Sequence, residues 1–222
     1  VSINNPLPSG KGLASSTADV VAAITATAAA LGVELSLSEI KNLALAIEPT
    51  DGTFFPGIVF FDHRRGQYCQ YLGQPPPLQI LVVDPGGTVD TVRFNLRQDL
   101  QSLNQAKEST VRKAVELVKK GLKLGEAELL AEGATLSALA NQEILFKPEL
   151  EKIREIALSC GALGVNAAHS GTVMGIFYQA EEVDVRQLES KIKDVFPYVK
   201  FRRAALSSGG VEVVQKTWSL AR

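Results

Sequence analysis

Between Pro8 and Thr17 the chain reads Pro8-Ser9-Gly10-Lys11-Gly12-Leu13-Ala14-Ser15-Ser16-Thr17: two glycines around a lysine, then three hydroxyl side chains in a row. Such a run suits phosphate chemistry. Gly10 and Gly12 let the backbone adopt conformations closed to other residues and approach an anion closely. Ser15, Ser16 and Thr17 open a helical pattern. The first N–H groups of a helix lack internal partners and lie at the positive end of its dipole. A hydroxyl there can also ligate a divalent cation beside phosphates, and Lys11 adds a point charge. The expectation is a cradle for a nucleotide's phosphate tail. It is not a Walker P-loop, because Gly10-Lys11 is followed by Gly12 instead of Ser or Thr, and it is not a G-x-G-x-x-G dinucleotide loop.

Two other segments could complete such a site. A phosphotransferase places a carboxylate near the loop to orient or deprotonate an attacking hydroxyl. Glu48-Pro49-Thr50-Asp51-Gly52 offers two. Asp51 comes first because it stands at a turn after a helix. Glu48 comes second, as a metal ligand or as a helix-end residue. Pro-Thr-Asp-Gly is also a good generic turn, so the structural reading of Asp51 stays open. The second segment is Val165-Asn166-Ala167-Ala168-His169-Ser170-Gly171-Thr172-Val173. Its Ser-Gly-Thr is common between strands and carries little weight alone.

The elements that must hold these residues follow from hydrophobic spacing. Val20, Val21, Ile24, Ala28 and Leu31 recur at helical intervals, so a helix is expected over about Ser16 to Leu31. Ser16 and Asp19 match a capping box, and Gly32 a C-cap. A second helix is expected over Ser38–Ile47, capped by Ser36 or Ser38. A hairpin pairs Gly57–Phe61 with Tyr68–Leu72. Gln74-Pro75-Pro76-Pro77 stops any helix or central strand and marks the boundary between halves. Beyond it the pattern gives a strand at Leu78–Val83, then helices at Gln105–Lys120, Leu124–Asn141 and Pro148–Cys160. Strands Gly164–Ala168 and Val173–Tyr178, a helix Val185–Phe196, and strands Val199–Arg203 and Val211–Gln215 complete it. Trp218 is expected to anchor the tail. The fold class is α+β, in two halves.

Composition narrows the function classes. The formal net charge is −1, from 23 basic and 24 acidic residues, so no global field favours nucleic acid or an anionic membrane. Cys69, Cys160, His63 and His169 lack the spacing of a structural zinc site. Two lone cysteines fit a reducing compartment. No apolar run is long enough to span a bilayer. A cytoplasmic protein with neither nucleic-acid nor membrane partner is expected.

The run from Pro8 to Thr17 closely resembles the second signature of the GHMP kinases (galactose, homoserine, mevalonate and phosphomevalonate kinases), P-x-x-x-G-L-[GA]-S-S-[AT]. The third signature, G-A-x-x-S-G-[ST]-G, is similar to the segment around Ser170, Gly171 and Thr172, with Val173 where a second glycine is usual. The resemblance implies a sandwich with a βαβ-type N-terminal half and a ferredoxin-like C-terminal half. It implies ATP and Mg²⁺ as cofactors and a small-molecule alcohol as acceptor. Carried over residue by residue, Pro8, Gly10, Lys11, Gly12, Leu13, Ala14, Ser15, Ser16, Thr17, Ser170, Gly171 and Thr172 would hold ATP. Ser16, with Glu48, would ligate the metal, and Asp51 and Lys11 would be catalytic. Residues 1–74 would form the later part of the ATP-binding domain, with its opening segment missing or supplied as a separate chain, and residues 78–222 the C-terminal domain.

Within the family, Gly-Lys-Gly-Leu-Ala-Ser-Ser-Thr-Ala-Asp, Glu-Pro-Thr-Asp, Ala-His-Ser-Gly-Thr and Asp84-Pro85-Gly86-Gly87-Thr88-Val89-Asp90-Thr91 look most like the L-threonine kinases of cobalamin synthesis. That branch implies an amino-acid acceptor, whose ammonium Asp90 could pair with. Homoserine or an isoprenoid alcohol as acceptor is the alternative within the family. A non-catalytic ligand-binding domain of the same fold is the alternative outside enzymes, and assembly as a homodimer stays open.

Overall fold

The computed structural model describes residues 2–90, 94 and 96–214. The chain forms two compact units and passes between them four times. One comprises Val1–Pro6, Ala14–Tyr71 and Gly209–Arg222; the other comprises Leu7–Leu13 and Leu72–Ser208. The crossing at Tyr71–Leu72 falls just before the triproline segment. A second crossing falls at Leu13–Ala14, inside the glycine- and serine-rich run.

The first unit is built on helix α1, Ser15–Ala30, whose alanines supply helix propensity while Val21 and Ala28 supply buried surface. Helix α2, Leu37–Ile47, starts at Ser36, whose hydroxyl accepts the Glu39 N–H as Glu39 accepts the Ser36 N–H in return. Ser36, not Ser38, is therefore the cap. Strands β1, Ile58–Phe61, and β2, Cys69–Gly73, pair as the expected hairpin. Val21, Ile40, Ala44 and Phe54 form the core of this unit.

The second unit carries strand β3, Gln79–Asp84, and helices α3, Leu100–Ala106, α4, Glu108–Leu124, α5, Ala127–Ala140, and α6, Leu150–Ser159. Strands β4, Gly164–Ala167, and β5, Met174–Tyr178, helix α7, Val185–Val195, and strand β6, Lys200–Ala205, complete it. The sheet order is β4-β5-β3-β6 with every neighbour antiparallel. In the unit's own strand order this reads second, third, first, fourth, the split-βαβ arrangement of a ferredoxin-like half. Leu81 of β3 sits opposite Ile176 of β5 and joins Val83, Leu150, Ile153, Val165, Leu188 and Ile192 in a continuous core.

Three expectations fail. The helix predicted over Gln105–Lys120 is two helices separated at Lys107, whose side chain is drawn away to Asn141. Residues 211–214 form no strand: Gly209 and Gly210 turn at φ 60° and 101°, and the Val211 N–H donates to the Phe54 carbonyl. Gln215, Trp218, Thr91 and Val1 lie outside the described residues. Ser16 and Asp19 do not form a capping box. The residue before α1 is Ala14, with no side-chain cap. Ser16 and Asp19 fail to pair because each has another partner, Glu48 for one and the Asn5 amide for the other.

Candidate phosphate-binding site

In the second unit, three segments converge on Gly10–Gly12. The Val89 N–H donates to the Gly10 carbonyl at 3.0 Å, and a methyl group on Gly10 would stand 3.0 Å from Thr88 Cβ. Lys11 is mostly covered, and its Nζ donates to Asp84 Oδ1 at 2.7 Å, where β3 ends. The same oxygen accepts the Gly86 N–H at 2.8 Å, so the carboxylate is fixed from two sides.

The third segment is the turn between β4 and β5. The Ala168 N–H donates to the Val173 carbonyl at 3.0 Å, closing the turn, and the Val173 N–H donates to the Lys11 carbonyl at 3.3 Å. Gly171 lies so close that a methyl group there would overlap the Lys11 carbonyl and the Gly12 nitrogen. A methyl group on Gly12, at φ +81°, would overlap the Ala168 side chain and stand 3.0 Å from Gly171 Cα. Only glycine permits this approach. The two segments singled out by their sequence, 158 residues apart if measured from Gly12 to Ser170 (170 − 12), are thus packed backbone on backbone. Val173, where a second glycine was usual, is buried and joins the contact through its N–H.

In the first unit, Ala14 precedes α1 at φ 55° and ψ 31°, the only non-glycine among the described residues with positive φ. It turns the chain sharply into a 16-residue helix. Asn5 Nδ2 binds the Ser15 carbonyl at 2.9 Å and Asp19 Oδ1 at 2.9 Å, bracing the first turn from the side. Ser16 is exposed, and its hydroxyl meets the Glu48 carboxylate, so the two expected metal ligands are in contact. Thr17 points the other way. It is 3% exposed, and its hydroxyl accepts the Asp51 N–H at 3.0 Å.

That bond, with two more from fully buried Thr50, fixes Asp51. The Thr50 hydroxyl donates to the Glu48 carbonyl at 3.0 Å and its N–H to the His63 carbonyl at 2.9 Å. Asp51 is exposed at the surface, yet its carboxyl lies among protein atoms that strip part of its hydration. Crowding pushes its carboxyl above the ordinary value, with His63 pulling it down and Glu48 pushing it further up.

A Mg²⁺ ion takes oxygen ligands and is commonly held by one or two protein groups plus phosphates. The Ser16 hydroxyl and the Glu48 carboxylate are oxygen groups of that kind in mutual contact. Among the described residues no group of three or more His, Cys, Asp or Glu side chains is placed to hold a metal. Asp90 is exposed, and its carbonyl accepts the Phe94 N–H at 2.9 Å. The His169 ring stands edge-on to Phe94 at 5.5 Å. Sequence reasoning missed Asp84 as the partner of Lys11, Asn5 as the brace of α1, and Lys147 and Asn141 beneath the β4–β5 turn. Asp84 opened a segment read only for its family likeness, and no motif marks the other three.

Two glycine loops packed in this way, with a ferredoxin-like sheet, fit the class of α+β small-molecule phosphotransferases. Residues 1–55 match the GHMP kinases N terminal domain, and residues 114–197 match GHMP kinases C terminal. The chain is 34% identical to the L-threonine kinase of Salmonella typhimurium, over 87% of this chain and 64% of that protein. It is 32% identical to the L-threonine kinase of Citrobacter freundii, over 96% of this chain and 75% of that protein. It therefore spans between about two thirds and three quarters of the length of these relatives. A homoserine kinase from Cytophaga hutchinsonii shares the fold, with a TM-score of 0.69 at 19% identity over 92% of this chain and 69% of the other. So does a Streptococcus pneumoniae phosphomevalonate kinase, with a TM-score of 0.67 at 16% identity over 89% and 70%. The chain belongs to the GHMP kinases.

Proposed function

We propose that the chain carries the phosphate site of an ATP-dependent kinase acting on the side-chain hydroxyl of L-threonine. The product is O-phospho-L-threonine, for cobalamin biosynthesis in the cytoplasm. The observation that carries this reading is the seating of Gly171 on Lys11 and Gly12, which packs the two glycine loops backbone on backbone. The names of the two relatives above 30% identity supply the acceptor. One solved structure of the same fold is a complex with AMPPNP, and another a complex with AMPPCP and magnesium. Residues 1–74 belong to the ATP-binding half on this reading, and 78–222 to the C-terminal half.

In this reading the backbone from Pro8 through Leu13 and Ala14, with the N-terminal turn of α1 at Ser15–Thr17, binds the triphosphate, and Ser170, Gly171 and Thr172 close on it. Ser16 and Glu48 would hold Mg²⁺, which when bound neutralises phosphate charge. Lys11, oriented by Asp84, places a positive charge where the γ-phosphoryl group gathers negative charge. Such pre-aimed electrostatics supply the largest share of barrier reduction in phosphoryl transfer. Asp51, fixed by Thr17 and Thr50, orients or deprotonates the attacking hydroxyl. Its upward shift moves it toward the range in which a general base works well. The hydroxyl oxygen attacks in line, its proton leaves to Asp51, and ADP departs.

Homoserine is the second acceptor to weigh, because a homoserine kinase of Aliarcobacter butzleri is 26% identical over 94% of this chain. Release of ADP is to be measured with Mg-ATP and, in turn, threonine, homoserine, serine and mevalonate. Threonine is expected to give the highest kcat/KM. A higher value for homoserine replaces the acceptor, and no release with any of the four removes the kinase reading.

A further inference from the structure

Lys147 lies between α5 and α6 with only 4% of its surface exposed. A buried cation without a carboxylate is costly, and burial alone pulls this ammonium down to about 8, with no charged neighbour contributing. Its main chain is clamped by one side chain: Gln142 Oε1 accepts the Lys147 N–H at 2.9 Å, and Gln142 Nε2 donates to the Lys147 carbonyl at 2.9 Å. From that fixed point Nζ donates to the Ala168 carbonyl at 3.0 Å.

A second anchor holds the next peptide. Asn141, 7% exposed, directs Nδ2 at the His169 carbonyl at 3.4 Å. Its amide cannot be turned round, because Oδ1 accepts from Lys107 Nζ at 3.0 Å and an ammonium only donates. Consecutive carbonyls of the β4–β5 turn are therefore drawn to the same interior side. In a trans peptide the carbonyl of one residue and the N–H of the next point in opposite directions, and the described chain has no cis peptides. The amides of His169 and Ser170 accordingly face away from Lys147 and Asn141. In the same turn Thr172 Oγ1 is buried with no hydrogen-bond partner, a polar atom in want of an acceptor.

We propose that Lys147, with Asn141 as its companion, is a positioning residue of the phosphate cradle. By holding the Ala168 carbonyl, as Asn141 holds that of His169, it sets the direction of the turn's amide donors beside Gly12. This rests on the nucleotide reading above. A residue needed only for packing would not have to be an ammonium, since methionine fills similar space without burying a charge.

The test compares wild type, Lys147→Met and Lys147→Gln for thermal midpoint, equilibrium binding of AMPPNP, and kcat and KM for both substrates. Lys147→Met is expected to fold with an equal or higher midpoint yet bind AMPPNP about tenfold more weakly, the order of one hydrogen bond's net contribution. Lys147→Gln, which keeps a donor, is expected to recover part of the loss, and KM for threonine is expected to move less than KM for ATP. A folded Lys147→Met with wild-type AMPPNP affinity overturns the proposal. Should that variant not fold, Asn141→Ser carries the test, with weakened AMPPNP binding supporting the proposal and unchanged binding overturning it. If wild type itself does not bind AMPPNP, the nucleotide reading falls first, and this inference with it.

Discussion

Asp51 is held through its backbone while its carboxylate is left to its surroundings. Thr17 takes its N–H, and crowding raises its pKa, with His63 and Glu48 acting in opposite senses. The ionised form does the chemistry, so turnover should fall as pH drops through the raised value, above the ordinary 3.8. Stability runs the other way. A carboxyl whose folded pKa is raised contributes favourably below its unfolded value, and that contribution is lost as pH rises through the folded one. Asp51→Asn should therefore raise the thermal midpoint at neutral pH, with the gain vanishing below 3.8. The same variant should lose turnover by about 10²–10⁴-fold while binding AMPPNP normally. Unaltered turnover in a steady-state assay would remove Asp51 from the mechanism.

The start of α1 shows how an element inherits a constraint from the site it serves. Ala14 occupies the left-handed region at φ 55°, which costs an L-residue roughly 1–2 kcal/mol. Glycine removes that strain but restores about 0.4–1 kcal/mol of unfolded-state entropy. Ala14→Gly should therefore be neutral to slightly stabilising, by up to about 2–4 °C in midpoint, with nucleotide affinity kept. Ala14→Val, β-branched at positive φ, should lower both midpoint and affinity in calorimetry and AMPPNP titration. A harmless valine would show that the turn is not held by this conformation. The same region marks what sequence can disclose. Gly10, Gly12 and Gly171 were legible because a close approach or a positive φ restricts residue type at each position. The capping box at Ser16 and Asp19 was misread because both side chains had distant partners. Lys11–Asp84 and Lys147–Ala168 span 73 and 21 positions, and no local pattern encodes a bond made across such distances. The split at Lys107 was hidden for the same reason, and apolar spacing did not announce the glycine turn that stands before residues 211–214.

Across the whole chain, burial is distributed unequally between the two units. Leu81, Leu150, Ile153, Ile176, Leu188 and Ile192, all inside residues 78–208, are completely covered, whereas the first unit's core consists of Val21, Ile40, Ala44 and Phe54. A domain of about 130 residues can support a core of the former kind, but a two-stranded sheet with two helices is marginal alone. Residues 72–208 produced separately should unfold cooperatively, and residues 1–71 should not. The larger piece would nonetheless lack Leu7–Leu13, the segment that accepts the Val173 N–H, pairs with Asp84 and seats Gly171. Its sheet and its turn should consequently separate in hydrogen exchange. The Leu81 and Ile176 amides, inside the β3–β5 ladder, should stay protected at near-intact levels. The Val173 amide, whose acceptor is the Lys11 carbonyl, should exchange much faster than in the whole chain. Equal protection of Val173 in both would mean that the turn keeps its shape without the glycine-rich segment. The cradle would then be preformed by β4 and β5 instead of assembled by the chain's return through the second unit.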